Sequence, residues 1–495
     1  MPPLARAAHT AARVIRTTEI APMKPFLSAP LAAALMLAAI PLPLLAAPPT
    51  PASLVIVHAK VVTMDQARRV IDDGTVVIAD GNIVAVGPAG LERDYAAGQT
   101  LDARGNIAMP GMINTHNHLA MIAFRGLGEY KTEDRLRKFF FPLESKMLSR
   151  ELINVASRQA AMELAVNGVT TVVDMYYHED EVAKAVSDVG LRGVLGETII
   201  NFPVVDAPEP YGGFQYALDF IKKYKGDPLI TPAFAPHAPY SVSPQMLTQI
   251  QQAADHYQVP VLMHLAEPAD EWARVKARFP EAGRYGTELQ YLDATHILSP
   301  RLLAAHAIVL DAQDIALLKA RDVGIAHNPK ANTKGHGGLA PAWEMQRAGL
   351  GVGLGTDGPL SGNQMDVISL MGYAKRVATI RHPESTTYTP PELVAMATIG
   401  GARALKMDAR IGSLEPGKAA DIILVDTHSL NMQPLYDVYA ALVYQADPHD
   451  IYTTIVNGRV VARDGQVLTV DLDRQHHDWE RVTRRVAEFA KTLDY

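Results

Sequence analysis

Eight short apolar runs recur between residues 107 and 355, separated by stretches with helical patterning, and this alternation limits the fold more than any other feature of the chain. The first enters at Ile107; the others span residues 168–175, 191–200, 229–235, 259–265, 303–310, 323–327 and 350–355. Alternating strand and helix implies parallel strands, because a parallel connection needs a crossover long enough to hold a helix. Eight such units in a stretch of about 300 residues predict a closed (β/α)8 TIM-like barrel, with an open doubly wound sheet as the alternative. Flanking segments read differently. Residues 53–63 and 74–86 are β-branched and partly alternating, with Asp80-Gly81 as a hairpin signal, and residues 420–425, 452–457, 458–462 and 466–470 repeat the style around Asn457-Gly458 and Asp464-Gly465. We therefore expect 53–108 and 412–470 to form one small composite β-sandwich, 109–411 to form the barrel, and 471–495 to be a C-terminal helix.

Ahead of these elements, residues 26–47 are almost wholly apolar, preceded by Arg6, Arg13, Arg16 and Lys24 and followed by Ala46-Ala47-Pro48-Pro49. That order is the order of a secretory signal. Pro30, Pro41 and Pro43 interrupt the run, which argues against the alternative of a membrane-spanning helix. Residues 1–47 are expected to be a signal peptide, with Met23 as the true start, and the mature chain to be exported, periplasmic or secreted, without a membrane anchor. The net charge of −7 comes with no run of lysine or arginine, so nucleic acid is not an expected partner. Homo-oligomerisation is left open. The chain has no cysteine, which excludes disulfides, thiolate metal sites and a cysteine nucleophile. Any metal must be held by His, Asp or Glu.

Such residues stand at the ends of the apolar runs. His116 and His118 alternate on a strand-like segment and so point the same way. Taken alone the spacing is weak, since 17 histidines in 495 residues make it common by chance. It gains weight from position: His264 and Glu267 end the run 259–265, His306 lies within 303–310, and Asp357 follows 350–355. Barrel enzymes place their reactive groups at these carboxyl ends. Together these groups offer neutral nitrogen and anionic oxygen ligands for a divalent ion, with a position left for water. Zinc is the first choice, and Fe2+ or Mn2+ would accept the same donors.

The segments Asn114-Thr115-His116-Asn117-His118, Phe124-Arg125-Gly126, Pro236-His237-Ala238-Pro239-Tyr240, His264 with Glu267, His327-Asn328-Pro329 and Gly353-Leu354-Gly355-Thr356-Asp357-Gly358 occur in the order found in the amidohydrolase superfamily, which the chain resembles from about Ser53 to about Val470. Within it the chain is most similar to the methylthioadenosine/S-adenosylhomocysteine deaminase branch and its guanine deaminase and triazine hydrolase relatives. The resemblance implies that His116, His118, His264 and Asp357 bind the metal, that Glu267 shuttles a proton, and that His306 holds the attacking hydroxide or the leaving region. It places Glu144 and His237 beside the substrate; His327 is a further candidate there, or equally a packing residue. Members with two metals carry a bridging lysine at the fourth strand, where this chain has residues 233–237 without one, so a single metal is expected.

The implied activity is hydrolytic deamination of an aminated purine nucleoside or related nitrogen heterocycle. A divalent ion brings a water's pKa to near 7, and Glu267, assisted by Asp357, could move the water's proton to a ring nitrogen before ammonia leaves. Two other readings keep the barrel: hydrolytic dechlorination or cyclic amide hydrolysis at the same site, and an exported binding protein without catalysis. Adenosylhomocysteine itself is disfavoured, because relatives carry an arginine after the third strand where this chain reads Gly196-Glu197-Thr198, and a glutamate there would repel a carboxylate. The loop 330–336 also departs from the family pattern.

Overall fold

The computed structural model describes residues 49–130, 136–335 and 337–493, with the side chains of 136 and 137 excepted. The expected signal peptide lies outside the described residues, as does His336 of the divergent loop. Among the described residues no helix is long and apolar enough to cross a membrane.

Eight parallel strands close into a barrel in chain order: Met112–Asn117, Val169–Tyr176, Arg192–Ile199, Ile230–Pro236, Val261–Leu265, Leu302–His306, Gly324–His327 and Val352–Leu354. Closure runs through Leu354 beside Asn114. Every residue of the second and third strands is buried, as parallel strands covered by helices outside and side chains inside must be. Each expected run holds one barrel strand, with two differences at the ends. The run entering at Ile107 divides at Gly111: Ile107–Pro110 belongs to the terminal sheet, and the barrel begins only at Met112. A Cβ on Gly111 would lie 2.1 Å from Thr170 Cγ2, so glycine alone lets the chain cross this close to the second strand. The run 303–310 stops being strand at His306, where His306 and Ala307 take positive φ of 72° and 47° and turn the chain outward.

The two terminal segments meet in one module, as expected. Its nine strands are hydrogen-bonded into a single mixed sheet in which Ile422–Val425 pairs with Ile107–Pro110, joining the C-terminal half to the N-terminal half. Leu54, Ile56, Val76, Ile83, Leu424 and Ile455 pack together, so neither segment could bury its apolar face alone. The strand Tyr95–Asp102, parallel to Thr50–Val62, was not foreseen; its sequence is poor in β-branched residues and its side chains are mostly exposed. Arg192, fully buried at the start of the third barrel strand, forms a two-pronged pair with Asp421 at 3.0 and 3.2 Å, and Asp421 also accepts the Asn457 N–H at 2.8 Å. This pair ties the sheet to the base of the barrel. The C-terminal helix spans Leu472–Ala490, is capped by Asp471, and buries Gln475, Val482, Val486 and Ala490 on one face. It packs on the helix Arg150–Val166, where the Gln475 amide donates to the Val155 carbonyl.

Candidate metal centre and active site

The carboxyl ends of the first, fifth, sixth and eighth strands bring His116, His118, His264, His306 and Asp357 to one point on the barrel axis. Neighbouring imidazole centres are 4.9–5.5 Å apart. Asp357 Oδ1 lies 3.5 Å from His116 Nε2 and 3.4 Å from His118 Nε2. Two sets of donor atoms each lie within 4.8 Å of one another, His116 with His264 and His306, and His116 with His118 and Asp357. The first and eighth strands are locked in register by polar side chains: Asn114 and Asn117 both donate to Thr356 Oγ1 at 2.8 Å, and the Thr356 N–H returns to Asn114 Oδ1 at 3.0 Å. Asp357 is held at a positive φ of 60°, its N–H on the His116 carbonyl at 3.0 Å and its Oδ1 accepting from the Gly358 N–H at 2.6 Å. A non-glycine residue kept in that region of backbone space is stabilised by its surroundings at some cost.

The protonation of these imidazoles follows from their outer contacts. His118 Nδ1 meets the Met175 carbonyl and His264 Nδ1 the His237 carbonyl, each at 2.7 Å. A carbonyl only accepts, so both Nδ1 atoms carry the proton and both Nε2 atoms present lone pairs inward. Those two Nε2 atoms are 3.3 Å apart. His116 Nε2 is buried with no hydrogen-bond partner among the described residues. Burial pushes His116 down to about 4 and holds His118 and His264 below the usual imidazole range, so none of the three is a cation at neutral pH. Burial alone would raise Asp357, but the adjacent His116 imidazole and its neighbours outweigh that and hold the carboxyl well below its ordinary range. Two inward lone pairs, the unpartnered His116 Nε2 and one carboxylate, all buried, are the donor set a divalent cation requires. The residues present fit such an ion.

A cavity of about 400 Å3 opens over this cluster. Glu267 lines it, its Oε1 3.8 Å from His306 Nε2 and its side chain 42% exposed. His306 is fixed through Nδ1 by Asn332 Oδ1 at 2.8 Å; burial lowers its pKa, but the charges of Glu267 and Asp357 prevail and raise it. Across the cavity Glu144, on the helix Phe141–Met147, accepts a hydrogen bond from the Tyr176 hydroxyl, and burial pushes its carboxyl up to about 7. His237 also faces the cavity, with Nδ1 on Ser241 Oγ at 3.0 Å and its pKa lowered to about 4 by burial and then by His118.

Two expectations are corrected. His327 is 1% exposed and is not among the residues lining the cavity; it packs at the end of the seventh strand, pushed down to about 3 by burial, which favours the packing alternative. Glu197 does not face the substrate either. Thr198 lines the cavity, so by the two-residue period of a strand Glu197 points to the opposite face, where it is fully buried and accepts the Glu179 N–H at 3.0 Å. The argument that Glu197 repels a carboxylate tail therefore falls. Asn332, Tyr176 and Thr356 hold the reactive groups and were not singled out from sequence. Thr356 inside the Gly353–Gly358 motif, and Asn332 three residues beyond the His327-Asn328-Pro329 motif, carried a positional signal.

Residues 107–461 match the amidohydrolase family. A curated 5-methylthioadenosine/S-adenosylhomocysteine deaminase from Syntrophobacter fumaroxidans is 36% identical over 444 residues, covering 89% of this chain and 98% of its own. An adenosine deaminase from Xanthomonas campestris, solved with bound zinc, superposes with a TM-score of 0.84 at 31% identity over 89% of this chain and all of its own. The zinc complex of atrazine chlorohydrolase from Arthrobacter aurescens shares the fold, with a TM-score of 0.80 at 24% identity over 87% of this chain and all of its own. The family match covers the whole barrel and the strands Ile107–Pro110, Ile422–Val425 and Ile451–Val456 of the terminal sheet, and on it the chain belongs to the amidohydrolase family.

Proposed function

We propose that this chain is a hydrolytic deaminase of an aminated purine nucleoside or related nitrogen heterocycle that works with one divalent cation, zinc by first choice. The observation that carries the reading is the pair of imidazole lone pairs 3.3 Å apart beside an ionised Asp357, under a cavity that Glu267 enters. Deaminases among the relatives and neighbours support it. His116, His118, His264 and Asp357 would hold the ion, and residues 233–237 of the fourth-strand region offer no lysine to bridge a second.

When bound, a divalent ion supplies Lewis acidity that brings the pKa of a water to near 7. The residues do the rest. Glu267 takes the proton of the attacking water and delivers it to a ring nitrogen, making the adjacent carbon electrophilic. His306 and Asp357 orient that water toward the ring carbon. Glu144 and neutral His237 bind the polar edge of the substrate, and Phe140, Phe141 and Tyr176 on the cavity wall exclude bulk water. A new C–O bond forms, the proton remaining on the added hydroxyl passes by way of Asp357 to the exocyclic nitrogen, and the exocyclic C–N bond breaks to release ammonia and leave a ring carbonyl beside the protonated ring nitrogen. We also propose export of the mature chain, on the sequence pattern of residues 1–47; a native protein that retains residues 1–22 would contradict the start at Met23.

The reaction class is tested by assaying purified enzyme against adenosine, methylthioadenosine, guanine and a pterin for ammonia, and against a chlorotriazine and a cyclic amide for chloride and ring opening. Ammonia from at least one purine is the expected result. Chloride or a ring-opened product without any ammonia, or ligand binding without turnover, would overturn it.

A further inference from the structure

The turn that carries Glu267 has an unusual support. Ala266 sits in the left-handed region with a φ of 49°, and its carbonyl accepts from the N–H groups of Ile308 and Val309 at 3.0 and 2.9 Å. Successive N–H groups around a left-handed residue converge into a small concavity that attracts anions. Here two buried glutamates fill it. Glu271, 2% exposed at the start of the helix Glu271–Arg278, accepts the Glu267 N–H through Oε2 at 2.7 Å. Glu288, 6% exposed at the start of the helix Glu288–Ala294, faces the Ala266 amide, which counters part of the rise that burial imposes on its carboxyl. Two helices from outside the barrel thus aim their first-turn carboxyls at consecutive amides of one strained turn.

The remaining oxygen of each, Oε1 of Glu271 and Oε1 of Glu288, is buried with no partner among the described residues. Burial and then the neighbouring Glu288 push Glu271 up, and burial pushes Glu288 up to about 7. Two buried carboxylates beside one turn repel each other, and a proton on one of them relieves that repulsion while Glu271 still accepts the Glu267 N–H. We propose that Glu271 and Glu288 are positioning residues, which together pin the turn at Ala266 and Glu267 and so fix where the Glu267 carboxylate meets the substrate. The assignment rests on Glu267 being the proton-transfer group. Its leverage comes from geometry, since a displacement of about 1 Å at a reacting group can cost on the order of 100-fold in rate.

The test compares E271A, E271Q and E288A with E267Q in the metal-loaded enzyme, reading kcat, KM and bound metal. E271A and E288A should lower kcat by about tenfold or more with KM and metal content unchanged. E271Q, isosteric with a protonated glutamate, should recover most of kcat, because its amide carbonyl still accepts the Glu267 N–H. Wild-type kcat in E271A, or E271Q failing as completely as E271A, overturns the positioning role. The two failures separate: an inactive E267Q beside a fully active E271A removes only the positioning role, whereas an active E267Q removes the acid–base reading beneath it.

Discussion

Glu267→Gln is expected to lower kcat by roughly 100- to 10,000-fold while leaving bound metal and KM close to wild type. Glu267 lines the cavity beside His306 and belongs to neither donor set, so its loss removes proton transfer without removing a ligand. Its side chain is 42% exposed, so the isosteric amide costs little packing and the folded state should be unchanged. The amide still takes a hydrogen bond but can neither accept the water's proton nor hand one to a ring nitrogen. Single-turnover kinetics with metal analysis on the same sample checks this, and turnover at an undiminished rate with metal retained would assign the proton transfer elsewhere.

Asp357→Asn should act at an earlier stage, by weakening the hold on the cation. Asp357 supplies the negative charge in a donor set whose other members are neutral imidazoles, and its carboxyl is kept ionised by those neighbours. The amide keeps the shape and can still accept the Gly358 N–H, but it withdraws the charge that offsets a divalent ion. Losing an outer partner of a ligand typically costs 10- to 100-fold in metal affinity, and loss of the charged ligand itself is expected to exceed about 100-fold, with activity falling in parallel. Competition titration against a chelator of known affinity measures it. Unchanged affinity would place the ion elsewhere. E267Q and D357N therefore separate cleanly: one enzyme keeps its metal and loses the chemistry, and the other loses both.

Much of this architecture was legible because its signals are periodic. Runs such as 168–175 and 191–200 are β-branched and bounded by turns, and the ligands at their ends fall where a barrel gathers them. The errors share one cause, that sequence periodicity does not fix which way a residue faces or where one layer hands over to the next. Ile107–Pro110 and Met112–Asn117 are both wholly buried, so nothing in their hydrophobicity marks the transfer from sheet to barrel at Gly111. Glu197 and Thr198 are adjacent, yet one is sealed outside the barrel strands and the other lines the cavity, a distinction set by register. His327 sits in a motif beside true site residues and is buried by the packing around it. The supports of the site were hidden for another reason. Thr356 meets Asn114 across 242 positions and Asn332 meets His306 across 26, and partnerships at such separations exist only after the chain has closed.

The claim beneath all of this is that His116, His118, His264 and Asp357 share one divalent cation, and elemental analysis of active enzyme before and after chelation tests it most directly. One equivalent per chain is expected, with activity lost as the ion is stripped and regained when zinc is returned. A fully active preparation that contains no stoichiometric cation and is indifferent to prolonged chelation would contradict the account.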